Sequence, residues 1–462
     1  MGQGMLFNSL IFIFGFLPVA YLVFWALRTT AQRHVWLTLT GYVFYGYWDV
    51  RFCLLMAFST LVSYCAGLAF LRFGPRRPIL WIPVTCDLLL LGFFKYAGFF
   101  AESVNQVASA AHVGALLPVL HVVLPIGISF YTFHTISYIV DCYRGVVKPT
   151  RSLFEFSAYV SLFSQLVAGP IVRFRQIEAD LENLANADRR AGLYAGSSFF
   201  VFGLVEKVLV ADTLARFVNP WLADYQHLST AATWLAMLGY TMQLYFDFSG
   251  YSSMAVGLGL MFGLRIPQNF NSPYRSLTPS EFWRRWHISL STCIRDYLFI
   301  PLGGSRGSRW LTARNIMISM FLGGLWHGAN FTFIVWGLYW GCLLVLYHLA
   351  SRYWDALPGR GALMFLLAVC GWVLFRASNL HMAGALFAKM FVPSAGILPS
   401  DADLFLLLTA LASIWSVWGP NVFEFHAPAR PLVRITLLGF VFGIALAVIA
   451  GSRASPFLYF QF

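Results

Sequence analysis

The sequence predicts an all-α, polytopic transmembrane helical protein, because its charge is sparse and its apolar blocks are long. Charged residues make up 11% of the 462 and hydrophobic residues 59%. A soluble domain usually carries about 25% charged residues, so this chain has too few to cover a soluble surface. Its apolar blocks also reach the length of a membrane-spanning helix, which takes about 20 residues.

Apolar blocks follow one another from end to end of the chain, separated by short turns that are basic or rich in Gly and Pro. We predict that residues 1–462 form a single integral membrane domain with about ten to twelve crossings. The polar stretch 173–190 is predicted to be a cytoplasmic loop that carries a surface helix. The candidate spans are 6–27, 35–50, 52–71, 79–101, 118–142, 154–170, 193–218, 231–263, 315–350, 362–377, 402–419 and 432–451.

The basic residues behind the net charge of +12 lie beside the apolar blocks. Arg28 and Arg33 follow the first block, and Arg72, Arg76 and Arg77 follow the third. This distribution is typical of cytoplasmic loops that face anionic lipid. We therefore expect membrane lipid, and no nucleic acid, as the partner of these residues. The order of the first block and its charges also predicts a retained helix with its N-terminus outside the cytoplasm.

The seven cysteines are widely spaced and form no C-x-x-C pair. Most lie inside apolar blocks, where Cys behaves as a small hydrophobic residue. We therefore expect neither a disulfide framework nor a metal site, and we predict no tightly bound cofactor.

The block 315–350 is too long to cross a membrane as one straight helix. It contains no Asp, Glu, Lys or Arg, and as a helix it would be about 54 Å long, against a hydrocarbon core about 30 Å thick. The glycines at 323–324 and the Gly-Ala-Asn sequence at 328–330 are the predicted break points. Backbone groups freed there need protein or cavity water as partners, so we expect a lined cavity around His327.

His327 has a structural and a functional interpretation. A lone His in an apolar helix is usually a hydrogen-bonded packing residue, whereas ionisable residues inside a membrane mark functional sites. The neighbouring glycine break favours function. Burial favours the neutral imidazole, which can accept a proton from an attacking hydroxyl group.

A second histidine, His287, lies in a segment with helical periodicity. Ser280 as N-cap, with Trp283 and Trp286 at helical spacing, predicts an amphipathic helix. Arg284 and His287 are three residues apart and would share one face of it. The alternative is an interfacial helix that places Trp and Arg at the lipid headgroups, and composition alone favours that alternative.

Two acidic residues are candidates to support a histidine. Asp296 follows Arg295 directly, and Asp247 lies inside an apolar block. Each could orient a catalytic His, or it could pair with an Arg that makes its burial tolerable. The residues alone leave both interpretations open.

The combined motifs resemble the alginate O-acetyltransferase branch of the membrane-bound O-acyltransferase superfamily. The resemblance extends over nearly the whole chain. It is carried by 283–291 (WRRWHISLS), 294–304 (IRDYLFIPLGG), 323–328 (GGLWHG), 93–96 (FFKY), 124–133 (LPIGISFYTF), 165–173 (QLVAGPIVR), 247–251 (DFSGY), 372–377 (WVLFRA) and 457–462 (FLYFQF).

By that resemblance, His327 takes the position of the family's essential histidine and His287 that of a second, commonly implicated one. The implied fold is a ring of transmembrane and re-entrant helices around a thin centre with a central tunnel. The expected donor is cytoplasmic acetyl-CoA, whose phosphates Arg284 or Arg285 would attract. The residues expected to bind substrate are Trp283, Arg284, Arg285, Trp286, Arg295, Asp296, Trp326, Asn330 and Asp247.

The same resemblance implies O-acetylation of an exported polysaccharide such as alginate or cellulose. The chain would lie in the bacterial inner membrane and act with an extracytoplasmic polysaccharide acetyltransferase as its partner. Peptidoglycan O-acetylation, or D-alanyl transfer to teichoic acid, keeps the fold and changes the substrates. A transporter with a path through His327, Asp247 and Arg295 is the alternative from another class. Tyr459 is a conceivable acyl carrier, although an interfacial aromatic anchor is the commoner role.

Overall fold

A computed structural model describes residues 5–112, 114–119, 122–167, 169–425, 431–451 and 458. Helices follow one another through these residues, and within them β-structure amounts to one bridge between Leu228 and Ile397. The helices are α1 (Leu17–Ala26), α2 (Thr30–Gly46), α3 (Val50–Phe73), α4 (Arg77–Ala110), α5 (Ile128–Tyr143), α6 (Leu153–Val160), α7 (Phe163–Leu166), α8 (Phe174–Glu182), α9 (Arg189–Val205), α10 (Asp212–Ala223), α11 (Thr230–Met261), α12 (Pro279–Arg285), α13 (Ile288–Ile294), α14 (Arg309–His327), α15 (Phe331–Asp355), α16 (Arg360–Arg376), α17 (Leu380–Phe391), α18 (Ala402–Trp418) and α19 (Pro431–Gly451). Three π-helical segments, Ile11–Phe16, Glu206–Ala211 and Arg295–Phe299, precede or follow these helices.

Several helices have the length and apolar composition that a membrane crossing requires. Among the described residues, α3, α4, α15 and Leu432–Gly451 of α19 are long and apolar enough to span a bilayer. Shorter apolar helices lie at Ile11–Ala26 and at α17 and α18. The all-α membrane fold is thus confirmed, whereas the number of crossings stays a prediction.

The chain divides into two compact units. The first comprises Met1–Gly196 and Leu258–Pro267, and the second comprises Ser197–Gly257 and Gln268–Phe462. Both candidate histidines belong to the second unit.

In the first unit, a buried carboxylate joins three helices. Ser59 of α3 and Thr135 of α5 each donate a hydrogen bond of 2.6 Å to Asp87 of α4. Asp87 is 2% exposed. Because a buried carboxylate is costly without such partners, these hydrogen bonds stabilise the packing of α3, α4 and α5.

In the second unit, Lys207 is enclosed by carboxylates. Its ammonium group pairs with Asp212 at 2.7 Å and with Asp247 of α11. The other oxygen of Asp247 accepts a hydrogen bond of 3.0 Å from the backbone of Leu458. Asp247, which could have supported a histidine, therefore stabilises a buried lysine and binds the backbone of Leu458. Tyr459 lies outside the described residues.

Some of the predicted spans have different bounds in the structure. In block 118–142 the helix begins only at Ile128, because Gly127 has the left-handed backbone of a turn, with φ of 78°. Block 154–170 contains two short helices, α6 and α7. The predicted surface helix within 173–190 is confirmed as α8, in which Phe174, Ile177 and Leu181 are buried. The spans did not include α17, which at 12 residues is too short for the length expected of a crossing.

The block 315–350 breaks at one of the two predicted places. Helix α14 ends at His327 and α15 begins at Phe331, so the break at 328–330 is confirmed. The break at 323–324 is wrong, because α14 continues through both glycines. A Cβ on Gly324 would lie only 2.3 Å from the carbonyl oxygen of Phe333 in α15. This glycine therefore allows two helix backbones to approach closely, as small residues do in membrane proteins.

We expect Gly324→Ala to destabilise the hairpin of α14 and α15, because the new methyl group would collide with backbone that cannot move aside. Overpacking of this kind typically costs about 1–3 kcal/mol. The measurement is the thermal midpoint of the detergent-purified protein. Gly443→Ala is the matched control, since a Cβ at this helical glycine of α19 would meet nothing within 4 Å. Equal midpoints for the two variants would contradict the close crossing.

We expect Lys207→Met to lower the yield of folded protein strongly. Loss of the lysine leaves Asp247, whose side chain is 2% exposed, without its cation, and breaking a buried ion pair typically costs about 3–5 kcal/mol. The yield is measured by size-exclusion chromatography after detergent extraction. Lys148→Met, at an exposed lysine, is the control, and the double variant Lys207→Met/Asp247→Leu should recover part of the loss. An unchanged yield for Lys207→Met would show that the pair is not structural.

Candidate functional site

A cavity of about 750 Å³ lies along the hairpin of α14 and α15. Near the turn of the hairpin it is lined by His327 and Trp336, both buried. At the other end it is lined by Ser305, His348 and Ser351, which are exposed. The cavity therefore connects the protein surface with the buried His327, as the glycine break in the sequence predicted.

His327 is enclosed mostly by aromatic rings. The residue is 5% exposed. It meets the rings of Trp336 and Phe375 edge-on, with centroids 4.8 and 5.2 Å away, and the ring of Trp326 lies at 5.1 Å. These rings hold the imidazole in a site that excludes most water, where electrostatic interactions are stronger than in bulk solvent.

His287 lies at a break between two short helices, which corrects the continuous helix that the sequence predicted. Helix α12 is capped by Thr278 and not by Ser280, and it ends before Trp286. His287 itself has the left-handed backbone, with φ of 44° and ψ of 54°, and α13 begins after it. Arg284 and His287 therefore do not share one helical face.

Asn269 satisfies the polar groups at this break. Its backbone oxygen accepts a hydrogen bond of 2.9 Å from the amide of Ile288. Its side-chain oxygen lies 3.2 Å from Nδ1 of His287, and it accepts hydrogen bonds from the amide and hydroxyl of Ser289 at 3.2 and 2.8 Å. Its side-chain amide donates to Ser252 at 3.1 Å. One asparagine thus fixes the orientation of the His287 ring.

The two histidines occupy different surroundings. His287 is fully buried and does not line the cavity. The ring of Trp326 contacts both histidines, with its centroid 6.0 Å from that of His287 and 5.1 Å from that of His327. Within the described residues, Nε2 of His287 has no hydrogen-bond partner. His327 is therefore the histidine that a molecule in the cavity would meet, and His287 is connected to it through the shared contact with Trp326.

Two arginines line the exposed part of the cavity. Arg284 donates from Nε to the backbone oxygen of Ser280 at 3.3 Å, and Arg295 pairs with Asp296 at 2.7 Å. Both arginines are exposed and both line the cavity. Positive charge beside the mouth of a cavity attracts anions. Asp296 therefore forms an ion pair with the arginine that precedes it.

The remaining aromatic and basic candidates of the 283–286 segment divide between cavity and core. Trp283 lines the cavity. Arg285 bonds to Glu281 at 2.9 Å and to the backbone oxygen of Asn271 at 3.1 Å, so it holds the end of α12. Trp286 is 3% exposed and packs in the aromatic core of the second unit.

Asn330 and Asp247 do not line the cavity. Asn330 caps α15 by accepting from the amide of Thr332 at 3.0 Å, and it donates to the backbone oxygen of Ser378 at 2.8 Å. It therefore shapes the turn after His327.

Asp247 is paired with Lys207, as described above. The path through His327, Asp247 and Arg295 that a transporter would need is not formed by the cavity.

The sequence did not single out Asn269, Trp336 or Phe375. Asn269 stands between two apolar segments, where nothing local distinguishes a loop asparagine from one that bonds 18 residues ahead. Trp336 and Phe375 lie in apolar helices, and an aromatic residue there faces lipid or core as readily as a site. Only the positions of α15 and α16 reveal their contact with His327.

In the described part of the chain, no group of three or more His, Cys, Asp or Glu side chains is placed to hold a metal ion. The prediction of a site without metal stays a prediction.

The chain is similar to proteins that transfer acyl groups to polymers. The sequence model of the membrane-bound O-acyltransferase family matches residues 129–377. The protein named "probable alginate O-acetylase AlgI" is 40% identical in Pseudomonas putida, over 99% of this chain and 100% of that protein. Its counterpart of the same name in Pseudomonas aeruginosa is 45% identical, over 84% of this chain and 75% of that protein. The peptidoglycan O-acetyltransferase of Helicobacter pylori is 35% identical, over 82% of this chain and 78% of that protein.

The family match covers more than half of the sequence and includes both histidines and the whole cavity lining. The relatives match over most of the chain. The sequence similarity and the helical structure agree that this enzyme is a multi-pass acyltransferase, and the chain belongs to the membrane-bound O-acyltransferase family.

Proposed function

We propose that this enzyme transfers acetyl from cytoplasmic acetyl-CoA toward an exported polysaccharide of the alginate type, in the bacterial inner membrane. The observation that carries the proposal is the cavity that begins beside exposed arginines and ends at His327. The arginines would attract the phosphate groups of an anionic donor. The uncharged acyl thioester of that donor could enter the aromatic surroundings of His327. The similarity to alginate O-acetylases over most of the chain supports the polymer class.

His327 would act as general base. It would take the proton of an attacking hydroxyl group while the hydroxyl oxygen forms an ester bond with the acetyl carbon. The carbon–sulfur bond of the thioester breaks, and the thiolate of CoA leaves and regains a proton. Base assistance of this kind typically accelerates a reaction by about 10² to 10⁴-fold.

The arginines at the mouth would hold the donor. Arg284 and Arg295 are exposed cations on the lining, and phosphate groups are favourable partners for guanidinium. Arg285 is engaged with Glu281, so Arg284 is the better candidate of the two adjacent arginines. The final acceptor hydroxyl would belong to an extracytoplasmic polysaccharide acetyltransferase or to the polymer itself.

Peptidoglycan O-acetylation is the second candidate. The Helicobacter pylori relative matches over 82% of this chain, and the same cavity and base would serve either polymer. D-alanyl transfer to teichoic acid would use the same base with a different acyl group. Cellulose remains an alternative polysaccharide acceptor. Chemical analysis of the modified polymer distinguishes these substrates.

We expect His327→Ala to abolish O-acetylation of the exported polysaccharide, with a loss of about 10²-fold or more because the general base is removed. The measurement is the acetyl ester content of purified polysaccharide and peptidoglycan, by NMR, from a deletion strain that expresses each variant. His381→Ala is the matched control, since His381 is exposed on α17. Membrane abundance of all variants is compared by immunoblot.

Full acetylation by His327→Ala at normal abundance would remove the base assignment. If the deletion strain has normal acetyl content in its exopolysaccharide but little acetyl in its peptidoglycan, the acceptor is peptidoglycan. The proposed role of His327 would then stay the same.

We expect His287→Asn to fold normally and to lower acetyl transfer by about tenfold, or about 1.4 kcal/mol of barrier. Asparagine tolerates the left-handed backbone that this position requires, so the substitution removes the imidazole and keeps the break between α12 and α13. His287→Val should instead reduce the folded yield, because β-branched residues are strained at positive φ. Normal transfer by His287→Asn would show that only the backbone conformation of His287 matters.

A further inference from the structure

Two adjacent glycines of α14 face different surroundings. Gly324 is needed where α14 crosses α15, because a Cβ there would collide with backbone. Gly323 lines the cavity instead. Outside its own helix backbone, a Cβ on Gly323 would have one heavy atom within 4 Å, Cδ1 of Ile294 at 3.2 Å. The helix crossing therefore does not require a glycine at 323.

Gly323 lies between the mouth of the cavity and His327. The lining residues of α14 begin at Thr312 and end at His327, and Gly323 is one helical turn, or about 6 Å, before the histidine. Ile294, the last residue of α13, also lines the cavity. The end of its side chain rests on Gly323, so a methyl group at position 323 would displace Ile294.

The other sides of His327 are closed by rings that cannot easily move. Trp336, Phe375 and Trp326 all lie within 5.2 Å of the imidazole, centroid to centroid, and each packs against further aromatic residues. Core packing of this density resists displacement. The aliphatic contact between Ile294 and Gly323 is therefore an adjustable part of the cavity lining, beside rings that are fixed.

We propose that the contact between Gly323 and Ile294 limits the acyl group that reaches His327 to the size of acetyl. The proposal rests on the proposed function, because it assumes that an acyl thioester approaches His327 through this cavity. The side chain of Ile294 rests on Gly323 one helical turn before His327, so its bulk would limit how far an acyl chain extends beyond the carbonyl carbon. A hydrophobic site typically discriminates by about 10- to 200-fold between substrates that differ by one methylene group. We expect the preference for acetyl over propionyl to be of this size.

The test uses membrane vesicles from the deletion strain complemented with the full chain, so that any native partner is present. Acetyl-, propionyl- and butanoyl-CoA, each labelled in the acyl group, are supplied on the cytoplasmic face, and label in the polysaccharide is measured. Ile294→Ala should raise the ratio of propionyl to acetyl transfer about tenfold or more. Gly323→Ala should lower this ratio and slow acetyl transfer, because the displaced isoleucine narrows the approach.

The double variant Gly323→Ala/Ile294→Ala should return toward the wild-type ratio, since the shortened side chain no longer meets the new methyl group. Ile294→Val, a smaller change, should lie between wild type and Ile294→Ala. Ratios that stay within about twofold of wild type in both single variants, with acetyl transfer intact, would overturn the proposal and leave the proposed function in place.

His327→Ala in the same vesicles separates the two claims. Loss of acetyl transfer in His327→Ala, together with altered propionyl-to-acetyl ratios in the variants at 294 and 323, supports both the base assignment and the selectivity proposal. Normal acetyl transfer by His327→Ala contradicts the base assignment and removes the basis of the proposal as well. Wild-type vesicles that incorporate no label from any acyl-CoA contradict the acyl-CoA donor, and the selectivity proposal fails with it.

Discussion

The close crossing of α14 and α15 is the constraint on which the site depends. An apolar chain too long for the bilayer turns back at 328–330, and Gly324 lets the two helix backbones approach so closely that a Cβ there would lie 2.3 Å from the carbonyl oxygen of Phe333. This approach places His327 at the closed end of a cavity and Trp336 beside it. Without it the rings of α15 and α16 would not enclose the imidazole, and the cavity would have no defined end.

A second helix break, at His287, is stabilised by hydrogen bonds and not by glycine. Backbone groups released inside a low-dielectric protein must find partners, and here Asn269 supplies both its backbone oxygen and its side chain. The cost of a left-handed histidine, typically about 1–3 kcal/mol, is thereby offset by the surroundings. Such a conformation indicates that the ring orientation at His287 matters, since a glycine or asparagine would adopt this backbone with less strain.

Charge in the second unit has two separate uses. Arg284 and Arg295 remain exposed on the cavity lining, where they can attract an anion. Lys207 and Asp247 are buried, and with the half-buried Asp212 they stabilise the packing of α10 and α11. From the residues alone, Asp247 and Asp296 were equally suited to support a histidine. The structure pairs each of them with a cation, and the buried Asp247 needs one because an isolated carboxylate is too costly to bury.

The amino-acid sequence by itself determined the membrane class, the break at 328–330 and the family, because charge content, block length and ordered motifs are properties of the chain before it folds. It also identified His327 as the residue at that break.

Only the tertiary structure distinguished Gly324 from a break point, since a glycine that ends a helix and one that lets two helices touch are locally identical. The conformation of His287 was likewise decided by Asn269, 18 residues away, because long-range hydrogen bonds here outweigh the local helical periodicity of 280–291. The selection of Trp336 and Phe375 as neighbours of His327 follows from helix packing, for which an apolar stretch carries no local signal.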